Sequence, residues 1–297
     1  MELWIPITIA AAFLQNLRSA LQKHLKGVMG TTGATFVRFG FGLPFAVIFA
    51  GVLHWGFRQP LPVPNAAFLA WAVIGGLTQI GATALLVHLF SLRNFAAGTA
   101  YSRTEPMQAA LFGFVFLGDR LNGWAAIAIA VSVVGVVVIT LVPGTRLRDA
   151  LRSRAAGIGL LSGTLFGASA VAYRAASLSL AGPTPEMQAA VTLVATTAFQ
   201  TVLMLGWMAW RNPGEFGRIA RAWKPSVAVG LVGATASFGW FTAMTLQNAA
   251  LVKSLAQVEM LFTVAASVLV FRETVSKREL AGCGMIAGAI VILLLGR

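Results

Sequence analysis

Apolar runs of about 20 residues fill this chain almost from end to end, and they decide most of what it can fold into. A hydrocarbon layer roughly 30 Å thick is crossed by about 20 residues of helix. Runs at 3–22, 32–54, 66–90, 96–117, 122–142, 155–178, 185–210, 225–246, 250–271 and 279–296 match that length. They are continuously apolar, not alternating, so they read as helices that satisfy their own backbone groups in lipid and not as strands of a barrel. Charged residues are only 10% of the chain, against about a quarter in a soluble domain. The expectation is an all-α, polytopic membrane protein of ten transmembrane helices. Glu2 is the one charge before the first run, with neither a basic start nor a small-residue cleavage site, so that run is expected to stay as the first span.

The net charge of +13 does not point to nucleic acid. The basic residues are scattered over short loops with no soluble module to present them, which makes anionic lipid headgroups the expected counter-ions. Loops after odd-numbered spans hold fourteen Lys and Arg and the opposite side three, Arg58, Arg120 and Arg297. Basic loops stay in the cytoplasm, so both termini are expected outside a cytoplasmic (inner) membrane of bacterial type. Residues 216–223 place Phe216, Ile219, Ala220 and Trp223 on one helical face with Arg218 and Arg221 off it, as an interfacial connector would. A single cysteine, Cys283, leaves no intrachain disulfide. No HExxH, P-loop, G-x-S-x-G or clustered metal-ligand spacing occurs, so neither an enzyme nor a cofactor is expected.

A shift of 154 lays the second half on the first: Ser91-Leu92-Arg93-Asn94 falls on Thr245-Leu246-Gln247-Asn248, Glu105 on Glu259 and Asp119 on Glu273. The expected organisation is a five-helix repeat at 1–142, a basic linker at 143–154 and a second repeat at 155–297. Five is odd, so the second copy enters the membrane upside down. Inverted repeats of this kind enclose midplane sites in secondary transporters.

With Glu105-Pro106 and Leu117-Gly118-Asp119 in one copy, and Glu259 and Phe271-Arg272-Glu273 in the other, the chain resembles the drug/metabolite transporter superfamily, in particular its ten-helix EamA-type members. Met260 stands where that family has proline after the acid. The resemblance covers essentially the whole chain and implies movement of a small solute, through export or exchange of amino acids, other metabolites or drugs, by alternating access without nucleotide hydrolysis. A flippase for a lipid-linked carrier is the alternative on the same scaffold, and it requires a cavity open sideways to lipid.

Ionisable side chains near the bilayer centre are costly and are functional candidates by default. Glu105 and Glu259 lie mid-span, and Tyr101, Glu105 and Gln108 share one face at i, i+4, i+7. Two readings of the glutamates stand: groups that titrate or bind a substrate ammonium, or static partners that lock helices together. Arg103 is two residues from Glu105 and so on nearly the opposite face. Its repeat equivalent is Gln257, while Lys253 matches Thr99 and is near enough a helix end to snorkel. Span one carries the polar stripe Gln15, Arg18, Ser19 and Gln22. Arg38, Tyr173, Arg174 and Trp240 complete the candidate substrate-binding set, with Arg18 and Arg174 each also able to reach headgroups. The arginines suit a carboxylate and the glutamates an amine, so a zwitterion is consistent with both. Gly159, Gly163 and Gly167, and Gly284 with Gly288, recur at four-residue spacing and are expected to pack helices closely. A monomer suffices, with a homodimer through the last helix an option.

Overall fold

The computed structural model describes residues 2–89, 102–140, 154–182, 184–262 and 276–295. Its helices are α1 (Trp4–Leu25), α2 (Thr31–Gly40), α3 (Leu43–Gly51), α4 (Ala66–Leu89), α5 (Glu105–Phe112), α6 (Gly123–Thr140), α7 (Arg154–Ser179), α8 (Pro185–Arg211), α9 (Gly214–Arg221), α10 (Trp223–Leu246), α11 (Ala249–Leu255) and α12 (Lys277–Leu295). Every expected span contains one of them, and no strand occurs among the described residues. Among the described residues five segments are long and apolar enough to cross a membrane alone: Thr31–Gly56, Ala66–Leu89, Arg154–Ser179, Pro185–Arg211 and Trp223–Leu246. The chain is thus an all-α, polytopic membrane protein. Most of the basic linker, Tyr101 and Phe271-Arg272-Glu273 lie outside the described residues.

The burial pattern is that of a protein dissolved in lipid. Buried positions are dominated by Ala, with Gly, Ser and Thr among them, whereas Val47, Ile48, Leu111, Phe114, Val202 and Trp210 are exposed. Acyl chains are as apolar as leucine, so helices gain little by hiding large apolar groups from them and associate instead through small residues that let backbones approach. On α7 this holds as the glycine spacing predicts. A Cβ at Gly163 would come within 2.8 Å of the Ser102 carbonyl oxygen, and one at Gly167 within 3.0 Å of the Ala109 nitrogen. On α12 the expectation fails. Among the described residues a Cβ at Gly284 or Gly288 meets nothing within 4 Å, and the close approach is made by Gly135 of α6, whose Cβ would lie 2.9 Å from the Gly282 carbonyl oxygen. The α6 backbone therefore crosses α12 beside Gly282, and the four-residue glycine row faces away from it.

Contacts between the halves obey a two-fold exchange. Helix α4 packs on α7, and its repeat-equivalent pairing, α10 on α1, is present too. Helices α6 and α12, and α2 with α3 against α8, each pair a helix with its own counterpart, and α5 of the fourth span packs on α11 of the equivalent ninth span. The connections at the two faces follow the same exchange. At the face of the basic loops, Glu215 of α9 accepts a 2.9 Å hydrogen bond from the Gly30 amide at the start of α2 and pairs with Arg218 at 2.5 Å. At the face of the chain termini, Thr184 at the start of α8 donates 2.7 Å to Gln59 of the preceding repeat. The first of these explains how α9 sits. Ile219 is buried against the protein while Phe216 and Trp223 of the same apolar face are exposed, and the inward side also carries Glu215, 5% exposed, because an orphan helix N-terminus stands ready to receive its charge.

Candidate functional site

The fourth and ninth spans are each interrupted at the same repeat position. Helix ends around residues 103–104 before α5 resumes at Glu105, and α11 ends at Leu255 before helix resumes at 258. Both junctions close with tight i→i−3 bonds, Met107 N to Thr104 O at 3.1 Å and Gln257 N to Ser254 O at 3.1 Å. Pro106 has no amide hydrogen, so it explains the first break. The second occurs without a proline, at Met260, and is held across the repeats instead: Gln257 Nε2 donates 2.9 Å to the Arg103 carbonyl. Since 257 minus 103 is 154, a residue and its own repeat equivalent touch, and the axis relating the halves passes between them.

Each carboxylate sits in the first turn after its break, where amide dipoles favour negative charge, and each is met by a cation from the other repeat. Lys253 Nζ lies 2.8 Å from Glu105, and Arg103 pairs with Glu259. The sequence spacing correctly separates Arg103 from Glu105, but Lys253 does not snorkel. Its amine turns inward because a mid-membrane carboxylate and the face of Trp240, 4.6 Å away, together hold it better than a distant headgroup.

Around this crossing lies a cavity of about 40 Å³, room for a few waters and well short of a drug-sized pocket. Gln15, Arg18, Arg38, Arg103, Glu105, Tyr173 and Trp240 line it, as does Lys253. Trp240 Nε1 donates 3.1 Å to Gln15 Oε1, joining α10 to α1. Arg38 Nη1 donates 2.9 Å to Thr83 Oγ1, joining α2 to α4. Arg18 and Arg38 are 2% and 5% exposed, so neither reaches headgroups.

Other candidates lie elsewhere. Gln22 donates 3.0 Å to the Ala34 carbonyl and ties α1 to α2. Gln108 donates 3.2 Å to Thr104 within the fourth span. Gln257 and Glu259 stand behind the lining, at the crossing itself. Arg174 neither lines the cavity nor snorkels: it donates to the Met244 and Gln247 carbonyls at 2.5 and 2.6 Å, at the C-terminal end of α10, and lies 3.7 Å from Asp119. A cation belongs there, since the last carbonyls of a helix carry its negative pole. Gly118, at φ 65°, supplies the left-handed turn that brings Asp119 back toward it.

Two residues not singled out from sequence join the site's polar network. Tyr173 donates 2.8 Å to Gln79 Oε1, and Gln200 Nε2 donates to Gln79 Oε1 at 3.1 Å and to the Tyr173 hydroxyl at 3.2 Å. Their signal was available: each is an amide deep inside an apolar run, where an unsatisfied polar group is costly.

A sequence profile described as the EamA-like transporter family matches residues 2–141 and 154–295. A solved crystal structure, described only as that of a protein, superimposes with a TM-score of 0.68 at 19% identity, covering 98% of this chain and 96% of its own, which speaks for the fold alone. A search of curated proteins gives no match.

Proposed function

Because the chain belongs to the EamA-like transporter family, whose members move small solutes across membranes, we propose that it exports amino acids or related metabolites or drugs by alternating access. In this reading the repeats at 1–142 and 155–297, joined by 143–154, rock about the crossed ion pairs. The observation that carries it is the reciprocal pairing at the broken helices, Lys253 with Glu105 and Arg103 with Glu259. A contact lying on the axis between two repeats can persist while each repeat tilts, and it borders the polar cavity that the solute would have to cross. The basic face is assigned to the cytoplasm by the loop-charge asymmetry.

Two measurements test this. Cells expressing the protein should retain less of at least one labelled amino acid, organic anion or cationic drug than cells carrying the empty vector, and equal retention across the panel counts against export. With Cys283→Ser as background, Ser169→Cys and Ser237→Cys, both on the cavity wall, should react with impermeant maleimide applied from either side. Labelling from one side only would remove alternating access.

A further inference from the structure

We infer that Arg18 and Arg38 form the substrate's anchoring site and that the group they hold is an oxyanion, a carboxylate or phosphate on a solute of net negative charge. The inference deepens the transport reading and rests on it.

Charge around the cavity does not balance. Four cations line it, Arg18, Arg38, Arg103 and Lys253, together with one carboxylate, Glu105. A second carboxylate, Glu259, stands behind Arg103. Lys253 and Arg103 take up these two acids, and among the described residues no third acid lines the wall. The sequence alone leaves a zwitterion open, with arginines for its carboxylate and glutamates for its amine. The structure separates those roles, because both glutamates already have cations of this chain. What is left over is positive.

The surplus is concentrated at one place. The stems of Arg18 and Arg38 converge on Gly233 of α10, where a Cβ would lie 3.2 Å from Arg18 Cδ and 3.8 Å from Arg38 Cγ, so the missing side chain leaves both stems room to lie against that helix. Arg18 is 2% exposed, and its Nε and Nη1 have no hydrogen-bond partner among the described residues. A buried guanidinium with open donors in the membrane interior is a costly arrangement unless something negative completes it. Its planar fork fits the two oxygens of a carboxylate or phosphate. Arg38 spends Nη1 on Thr83 and keeps the rest of its fork. The neighbouring amides face the same way: the oxygens of Gln15 and Gln79 are taken by Trp240 and Tyr173, which leaves their N–H groups for a solute. A wall of donors around two unanswered cations selects against an ammonium or a quaternary cation.

The test uses the full-length protein in nanodiscs of neutral phosphatidylcholine at fixed ionic strength, with thermal unfolding read against succinate, inorganic phosphate, chloride and tetraethylammonium. Succinate or phosphate should raise the unfolding temperature in a saturable way, and chloride and tetraethylammonium should not. Arg18→Gln and Arg38→Gln should each weaken that binding by about tenfold or more, with Arg18→Lys between Arg18→Gln and the parent, since it keeps the charge and loses the fork. Stabilisation by tetraethylammonium and not by the oxyanions overturns the inference without any variant, as does oxyanion binding unchanged in both glutamine variants. Nanodiscs containing phosphatidylglycerol separate the two sources of oxyanion: stabilisation by that lipid which succinate and phosphate cannot displace assigns the site to a headgroup and overturns the solute assignment. Transport of neutral or cationic solutes in proteoliposomes, with no effect of oxyanions, would leave the transport reading standing and remove this one.

Discussion

At the crossing of the broken helices, Glu259 holds Arg103 with its own side chain 2% exposed, whereas Glu105 holds Lys253 and is 14% exposed. The backbone repeats itself across the axis, and the side chains do not. Arg103 offers a rigid fork and also accepts through its backbone carbonyl from Gln257, so that corner is fixed at two points. Lys253 offers a flexible point charge resting on Trp240, and both Lys253 and Glu105 line the cavity while Glu259 does not. Of the two readings open for the glutamates, we propose the static one for Glu259 and the functional one for Glu105, the acid on the cavity wall. Duplication can supply two equal hinges, and divergence at single side chains then makes one of them hold and the other work.

The sharpest way to break that contrast is Glu259→Gln. Arg103, 30% exposed, then loses its charge-assisted partner, which costs about 1.5–3 kcal/mol, so fluorescence-detected size exclusion should find less monodisperse protein than for the parent. Recovery equal to the parent would show that the pair locks nothing. Glu105→Gln should cost less, about 1–3 kcal/mol, and leave a folded protein whose solute flux falls by about tenfold, the equivalent of about 1.4 kcal/mol of barrier. Flux unchanged across pH would take Glu105 out of the mechanism. Combining Arg103→Gln with Gln257→Arg moves the fork to its symmetry position. By the repeat symmetry that fork meets Glu105, which Lys253 already pairs, and leaves Glu259 without its cation, so the double variant should be no more stable in thermal unfolding than Arg103→Gln alone; a regain of about 0.5–3 kcal/mol would show that an arginine at 257 reaches Glu259. The smallest effect is expected for Trp240→Phe, which keeps a ring under Lys253 but loses the indole bond to Gln15: about 0.5–1.5 kcal/mol, read in the same assay.

Sequence reached the fold through length and register. The ten runs locate the helices because lipid imposes one solution on a long apolar run, and the 154-residue shift brings Arg103 onto Gln257, the contact on the axis. It also places two acids at equivalent mid-span positions. What it does not disclose is who answers them. Repeat alignment shows which residues are equivalent, and the partners of Glu105 and Glu259 come from the opposite copy at non-equivalent positions, 253 and 103. Lys253 reads as a snorkelling residue because distance to a helix end is visible in sequence and a facing carboxylate is not. Arg174 reads as a site residue because its depth is legible, while the end of α10 it caps is a matter of packing. Glu215 goes unnoticed for a related reason: the Gly30 amide that donates to it is 185 residues away.

The interior of small residues carries a practical consequence for mutational scanning. Alanine replacement probes a protein by deleting bulk, and at the many buried alanines of this molecule there is no bulk to delete. Its sensitivity lies in the other direction. At Gly75, where a single added carbon would come within 2.5 Å of the Tyr173 ring, and at Gly163, against the fourth-span backbone, growth of the side chain must push helices apart. A leucine scan, not an alanine scan, is the one that would trace the seams along which this chain is assembled.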